Sequence, residues 1–323
     1  SASTTSGQSF IDKRQTTVTK TINQTGEDYN TLTLWEDAQD GNLVTADEVH
    51  VGELYDDDGD LTDQFTIDGS TTDATRFMKI TVPAADRHAG TAAAGATVTK
   101  TLTGSGSVIS INDDYTVIEW VVFKIGIDAG GGNLTIYGLQ PYNVKDCFIQ
   151  NCIIALTSQA NVNNYDATLG IRIEVDTAGS GFRTYVMNCI LYNWNVGGSS
   201  PASTGIRANS GSHRTLELRS YNNTVYNCDK GYLLTIGGTL NYYINNCLGV
   251  ANGTDFTFAG TAQANDYNAS DDATATGANS ITTASTGDFV LTTAGSENLH
   301  LKSTAVEINE GTDLATSPSG VQN

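Results

Sequence analysis

The chain of 323 residues carries 36 acidic against 16 basic side chains, a formal net charge of −20. That balance excludes nucleic acid and anionic membrane surfaces as partners, because both need a basic footprint, and it suits solubility at high salt or outside a cell. No run approaches the roughly 18 apolar residues of a membrane-spanning helix, so no membrane partner is expected.

Residues 1–27 are rich in Ser, Thr and Gln and poor in apolar side chains, which predicts an extended or partner-dependent arm. Within it, Thr16-Thr17-Val18-Thr19-Lys20-Thr21-Ile22 has the composition of a first strand. The opening Ser1-Ala2-Ser3-Thr4-Thr5-Ser6-Gly7 lacks the form of a signal peptide. A start on Ser is read as removal of an initiator Met, with precursor processing as the alternative. Next, Leu32, Trp35 and Ala38 fall three apart before Gly41, the pattern of a short amphipathic helix. An uncapped solenoid end exposes apolar core and unpaired strand edges, so this helix is expected to be an N-terminal cap.

Strands are predicted at Glu48-Val49-His50-Val51, at Phe65-Thr66-Ile67 and at Phe77-Met78-Lys79-Ile80-Thr81-Val82, the last ended by Pro83. The acidic turn Asp56-Asp57-Asp58-Gly59-Asp60 offers Asp56, Asp58 and Asp60 as weak Ca²⁺ candidates, although its register is not that of an EF-hand loop. A solvated turn without metal is the alternative, and no other cofactor is expected. Residues 89–103 read as an Ala/Gly/Thr-rich linker. Val108-Ile109-Ser110-Ile111 and Val117-Ile118-Glu119-Trp120-Val121-Val122-Phe123 then begin regular coils, with Trp120 expected to plug the end of the stack.

From there one phrase returns: Asn151-Cys152-Ile153, Asn188-Cys189-Ile190, Asn223-Thr224-Val225 and Asn246-Cys247-Leu248. The asparagines lie 37, 35 and 23 residues apart. Such irregular spacing suits stacked β-coils, whose insertions leave as corner loops. Asn151, Asn188, Asn223 and Asn246 are expected to form an amide ladder that satisfies buried polar groups, with Cys152, Cys189, Thr224 and Cys247 stacked beside it inside the solenoid. A second column is read at Leu134-Thr135-Ile136, Ile171-Arg172-Ile173, Gly205-Ile206-Arg207, Leu233-Leu234-Thr235 and Phe256-Thr257-Phe258. The odd count of five cysteines fits buried small hydrophobes, and no disulfide is predicted. Gly197-Gly198 and Gly237-Gly238 read as corners. The expected divisions are an arm at 1–27, a cap helix and first coils at 28–105, regular coils at 106–270, and a C-terminal coil or cap with tail at 271–323.

The rungs Asn151-Cys152-Ile153, Asn188-Cys189-Ile190 and Asn246-Cys247-Leu248, with the closing Leu299-His300-Leu301-Lys302-Ser303-Thr304 and Asn309-Glu310-Gly311-Thr312, resemble the right-handed parallel β-helix proteins of the pectate-lyase-like superfamily. The fold this implies is all-β, a right-handed parallel β-helix solenoid with a short N-terminal cap helix, over roughly residues 45–315. The front end, with Thr71-Thr72-Asp73-Ala74-Thr75-Arg76-Phe77 and Asp86-Arg87-His88-Ala89-Gly90, is similar to uncharacterised β-helix proteins of bacteriophages and environmental bacteria. That likeness implies a virion or extracellular location.

Chemistry is less legible. Polysaccharide lyases of the resembled fold use clustered acidic residues beside an Arg or Lys, and no such grouping appears among Glu119, Glu174, Asp176, Arg172, Arg207 and Arg214. For glycoside hydrolysis, which needs two carboxylates roughly 5–9.5 Å apart, the least poor candidates are Glu174, Asp176 and Glu217. His50, His88, His213 and His300 have no metal-ligand spacing, and no Gly-x-Ser-x-Gly elbow, P-loop or dinucleotide fingerprint occurs. Tyr192, Trp194, Tyr221, Tyr226, Tyr242 and Tyr243 near the corners suit core packing, a subunit interface or glycan stacking. The expectation is a non-enzymatic structural protein of a virion or extracellular surface, such as a capsid decoration, head fibre or tail appendage, working as a homotrimer. A tailspike-like polysaccharide lyase or hydrolase and a secreted adhesin or filament subunit are the alternatives.

Overall fold

Short runs rich in Ile, Val, Thr and Tyr form strands because branched and aromatic side chains pack well on a pleated surface. The Asn, Asp and Gly residues between them accept the backbone that turns a corner. The computed structural model describes residues 15–128, 134–160, 165–196, 203–312 and 314, with the backbone alone for 165 and 166. Residues 1–14 of the expected arm, the Gly197-Gly198 corner and Asp313 lie outside them.

Three parallel sheets make up the body. The first sheet stacks nine strands among the described residues: Thr16–Ile22, Glu48–Leu54, Met78–Thr81, Val117–Glu119, Cys147–Gln150, Phe182–Met187, Thr215–Tyr221, Thr239–Asn245 and Thr261–Asp266. The second runs through Thr97–Leu102, Val122–Asp128, Ile153–Ala160, Ile190–Tyr192, Thr224–Tyr226, Leu248–Val250 and Ala269–Ser270. The third runs through Phe65–Ile67, Gly106–Ile111, Leu134–Pro141, Tyr165–Val175, Thr204–Ser210, Lys230–Ile236 and Thr254–Thr257. From Met78 onward the chain visits the three sheets in turn, one circuit per coil, so the architecture is a parallel β-helix. The expected strand Val117–Phe123 is divided between two sheets by a left-handed corner at Trp120, and the expected linker contains the strand Thr97–Leu102.

Strand pairing resets the columns read from the sequence. In the third sheet Ile171, Ile206, Tyr232 and Phe256 are mutual partners, and Leu139 rather than Leu134 precedes them. Beside them lies a column absent from the reading: Gly138, Gly170, Gly205 and Gly231. A Cβ on the first three would meet the next coil's carbonyl oxygen at 2.4, 2.7 and 3.0 Å. The coils pack so closely there that any side chain would push them apart.

The cap helix spans Leu32–Gln39, with the Thr31 hydroxyl accepting the Leu34 N–H at its start. Its buried residues are Leu32, Trp35, Glu36 and Gln39, while Ala38 is exposed. A 3.6-residue turn places i, i+3, i+4 and i+7 on one face, whereas a spacing of three drifts off it. Trp35 closes this end of the stack against Ile22 and Gly52. At the far end, Tyr232 stacks on Phe256 and Tyr242 on Phe258, at centroid separations of 5.0 and 5.1 Å. Trp120 is therefore no plug, since its left-handed backbone swings the ring outward to a corner.

The closing phrase does not form another coil. Phe289–Leu291 and Asn298–Leu301 make an antiparallel pair lying on the outer face of the second sheet. There Phe289, Leu299 and Ala284 pack with Val122, Ile153, Tyr192, Tyr226 and Leu248.

Candidate functional site

Pleating sends alternate side chains of the first sheet outward, and in-register pairing lines them up from coil to coil. One outer row runs Lys79, Val117, Phe148, Tyr185, Arg219, Tyr243. Phe148 and Tyr185 stack at 4.3 Å with 10° between planes. The Arg219 guanidinium sits 5.4 Å from the Tyr185 ring and 4.8 Å from that of Tyr243. The flanking row is Thr81, Glu119, Gln150, Met187, Tyr221. Lys79, Val117, Phe148 and Tyr185 of the one row and Glu119, Gln150, Met187 and Tyr221 of the other line a groove of about 940 Å³, and Thr312 and Leu314 reach its edge.

The corner beside this groove holds the amide ladder, with Asn151, Asn188 and Asn246 as expected and Asn222 in place of Asn223 at the third rung. Trp120, Asn151, Asn188, Asn222, Asn246 and Tyr267 all have φ between 50° and 70°, the left-handed region. Asn188 donates to Asn151 at 3.1 Å, Asn222 to Asn188 at 3.0 Å and Asn246 to Asn222 at 3.0 Å. Asn223 instead shares the inner column with Cys152, Cys189 and Cys247 and is buried, while Thr224 pairs with Ile190 and Leu248 in the second sheet. The Asn223 Oδ1 accepts the Cys189 N–H at 2.8 Å and its Nδ2 donates to the Val186 carbonyl at 2.7 Å. So the ladder lies on the surface, and the buried amide serves backbone groups. All five cysteines are buried and free.

The carboxylates proposed for catalysis do not converge. Glu174 sits in the third sheet, paired with Arg172 and accepting from Asn209 at 3.2 Å. Asp176 accepts from the Tyr142 hydroxyl and from Asn143, and these bonds hold its pKa below the usual carboxylate value. Glu217 lies in the first sheet between Arg183 at 2.8 Å and Arg219 at 2.6 Å. In the groove itself, Glu119 accepts from Lys79, Thr81 and Gln150 at 2.6, 2.7 and 2.7 Å. Burial raises its pKa, but the three donors outweigh burial and leave it lowered, an ionised group rather than a proton donor. Asp146 is paired with Arg183 at 2.9 Å.

Asp56, Asp58 and Asp60 turn to different partners: the Gly95 N–H, the Thr25 hydroxyl, and Thr99 with Lys124, respectively. The described residues hold another acidic grouping, Glu36, Asp40 and Asp113, with ligand atoms within 4.8 Å of one another. Burial raises Glu36 to about 8 and Asp113 to about 6. This grouping escaped the sequence because cap helix and coil corner are far apart in the chain.

Of the corner aromatics, Trp194 and Tyr242 point into the core, Tyr192 and Tyr226 lie under the C-terminal segment, and Tyr221 and Tyr243 face the groove side. His88 is held within the packing: its Nε2–H donates to the Asn151 carbonyl at 2.7 Å, its Nδ1 accepts the Gly90 N–H at 3.2 Å, and burial lowers its pKa.

Stacked parallel coils, a corner amide ladder and one grooved outer sheet define a β-helix solenoid. Neither a family model, nor a curated protein, nor a solved structure matches the chain.

Proposed function

We propose that the chain is a non-enzymatic structural β-helix of an extracellular or virion-surface assembly, working as a homo-oligomer, with a trimer as the form expected. The observation that carries this reading is that the carboxylates on the outer face of the first sheet around the groove, Glu119, Asp146 and Glu217, are held in ion pairs. Both carboxylates in the groove are ion-paired, and so are Glu174 and Glu217 elsewhere. The Phe148, Tyr185 and Tyr243 rings stack on one another or on Arg219, so their faces serve rigidity. The likeness of the front end, with Thr71–Phe77 and Asp86–Gly90, to β-helix proteins of bacteriophages and environmental bacteria supports the same reading.

Size-exclusion chromatography with light scattering, together with electron microscopy of the native source, tests it. An oligomer seated in a repeating lattice is expected; a free monomer sinks the proposal. The groove itself favours one second reading, a carbohydrate-active β-helix. Release of reducing ends or unsaturated uronides from bacterial polysaccharides, lost in Glu119→Gln, would establish that reading instead.

A further inference from the structure

Residues 87–95 join the single turn at Ala84–Asp86 to the second-sheet strand Thr97–Leu102, and they touch two separate parts of the molecule. On one side His88 is buried against the ladder corner, 8% exposed, with its ring 5.7 Å from that of Trp120. On the other side the loop meets the C-terminal segment. A Cβ on Gly90 would lie 2.6 Å from Nε2 of His300, and Ala92 packs against the apolar cluster that holds Phe289 and Leu299.

Hydrogen bonding fixes the state of the His88 ring. The Asn151 carbonyl can only accept, so Nε2 carries the proton, and the Gly90 amide can only donate, so Nδ1 offers a lone pair. Neutral imidazole satisfies both contacts. Imidazolium has an N–H at each nitrogen, and the one at Nδ1 then faces the Gly90 N–H, donor against donor. The residue is held from behind as well, since a Cβ on Gly95 would lie 2.7 Å from the His88 backbone nitrogen.

The charged groups around the loop supply no acceptor for that second proton. Arg87 lies over the Trp120 ring at 4.7 Å and donates from Nε to the Val82 carbonyl. Asp56 accepts the Gly95 N–H at 3.3 Å. Asp86, at the head of the loop, has its pKa raised by burial and by Asp57 and Asp56. From the hairpin, His300 faces Gly90. Burial lowers the His88 pKa, and the Asn151 carbonyl offsets this only in part.

We propose that this loop is an acid-sensitive latch: a second proton on His88 lifts residues 87–95 from the ladder corner and loosens residues 284–301 from the outer face of the second sheet. A group whose folded-state pKa is lowered gives stability that is present above its unfolded value of 6.5 and lost as pH falls through the folded one. The latch therefore opens in acid. Asp86 has the opposite sign: with its pKa raised it favours the folded loop when protonated, so it resists opening. The inference goes beyond the assembly reading and does not depend on it.

Hydrogen–deuterium exchange of the full chain, corrected for the intrinsic effect of pH, tests it. Between about pH 7.5 and about pH 5, protection of residues 87–95 and 284–301 is expected to fall about tenfold, the size expected for one buried hydrogen bond lost. His88→Gln keeps a donor for Asn151 and His88→Asn keeps an acceptor for Gly90. Neither titrates, so whichever folds is expected to show no fall. His300→Gln, which alters the hairpin side alone, is expected to keep it. No fall in the unaltered chain, an equal fall in a folded His88 variant, or a fall abolished by His300→Gln overturns the proposal. Should both His88 variants fail to fold, the imidazole resonances of the unaltered chain decide. The His88 titration is expected to share its midpoint with the loss of protection, and separate midpoints overturn the latch.

Discussion

Adjacent asparagines at 222 and 223 do opposite work. Asn222 takes the left-handed corner, where a short polar side chain is tolerated, and its amide extends a surface ladder. Asn223 is buried and holds a backbone N–H and a backbone carbonyl of the preceding coil. Residue type alone cannot separate them, since Asn suits both tasks, and only the pairing of Tyr221 with Asn245 places each one. Replacing Asn223 by Ala orphans the Cys189 N–H and is expected to cost about 1–3 kcal/mol. Asn222→Gly keeps the corner conformation and is expected to cost well under about 1 kcal/mol. Denaturant midpoints of the two variants check the contrast, and equal losses would return Asn223 to the ladder.

The cap helix is an element whose existence was legible and whose chemistry was not. Leu32 and Trp35 announced an apolar face, but the same face buries Glu36 beside Asp40 and Asp113. Burial, helped by Asp40 and Asp68, raises Glu36 from 4.5 to about 8, and burial raises Asp113 from 3.8 to about 6. A carboxyl whose folded-state pKa is raised favours folding when protonated. Its contribution is complete below the unfolded pKa and is lost as pH rises through the folded one. The cap is therefore expected to loosen between about pH 4.5 and pH 8. Glu36→Gln keeps an acceptor for the Asp68 N–H and removes the titration. At pH 8 it is expected to raise the melting temperature by roughly 2 °C or more, with little change at pH 4. A variant that is less stable at both pH values would rule this out.

At the scale of the whole molecule, the C-terminal segment covers the outer face of the second sheet, where Phe289 is 1% exposed and meets Tyr226 edge-on at 5.8 Å. Phe289→Ala is expected to cost about 3–5 kcal/mol, felt first as release of residues 284–301. Limited proteolysis reads the effect: faster cutting in that stretch with an intact coil body is the expected result, and unchanged cutting would mean the segment contributes nothing to covering the sheet.

Taken by itself, the sequence determined the class of fold, because strand-forming runs separated by Asn and Gly can bury their apolar residues only by stacking coil on coil. It also marked both the cap helix and the cysteine column, each a local pattern of size and polarity. Tertiary structure alone decided the register, the glycine column, the outward path of the closing phrase and the pairing of every charged group in the groove. Those depend on which residues from successive coils, from Ile244 with Asn265 to Phe65 with Ile109, come into contact, and a one-residue slip in a period-two strand exchanges its inner and outer faces.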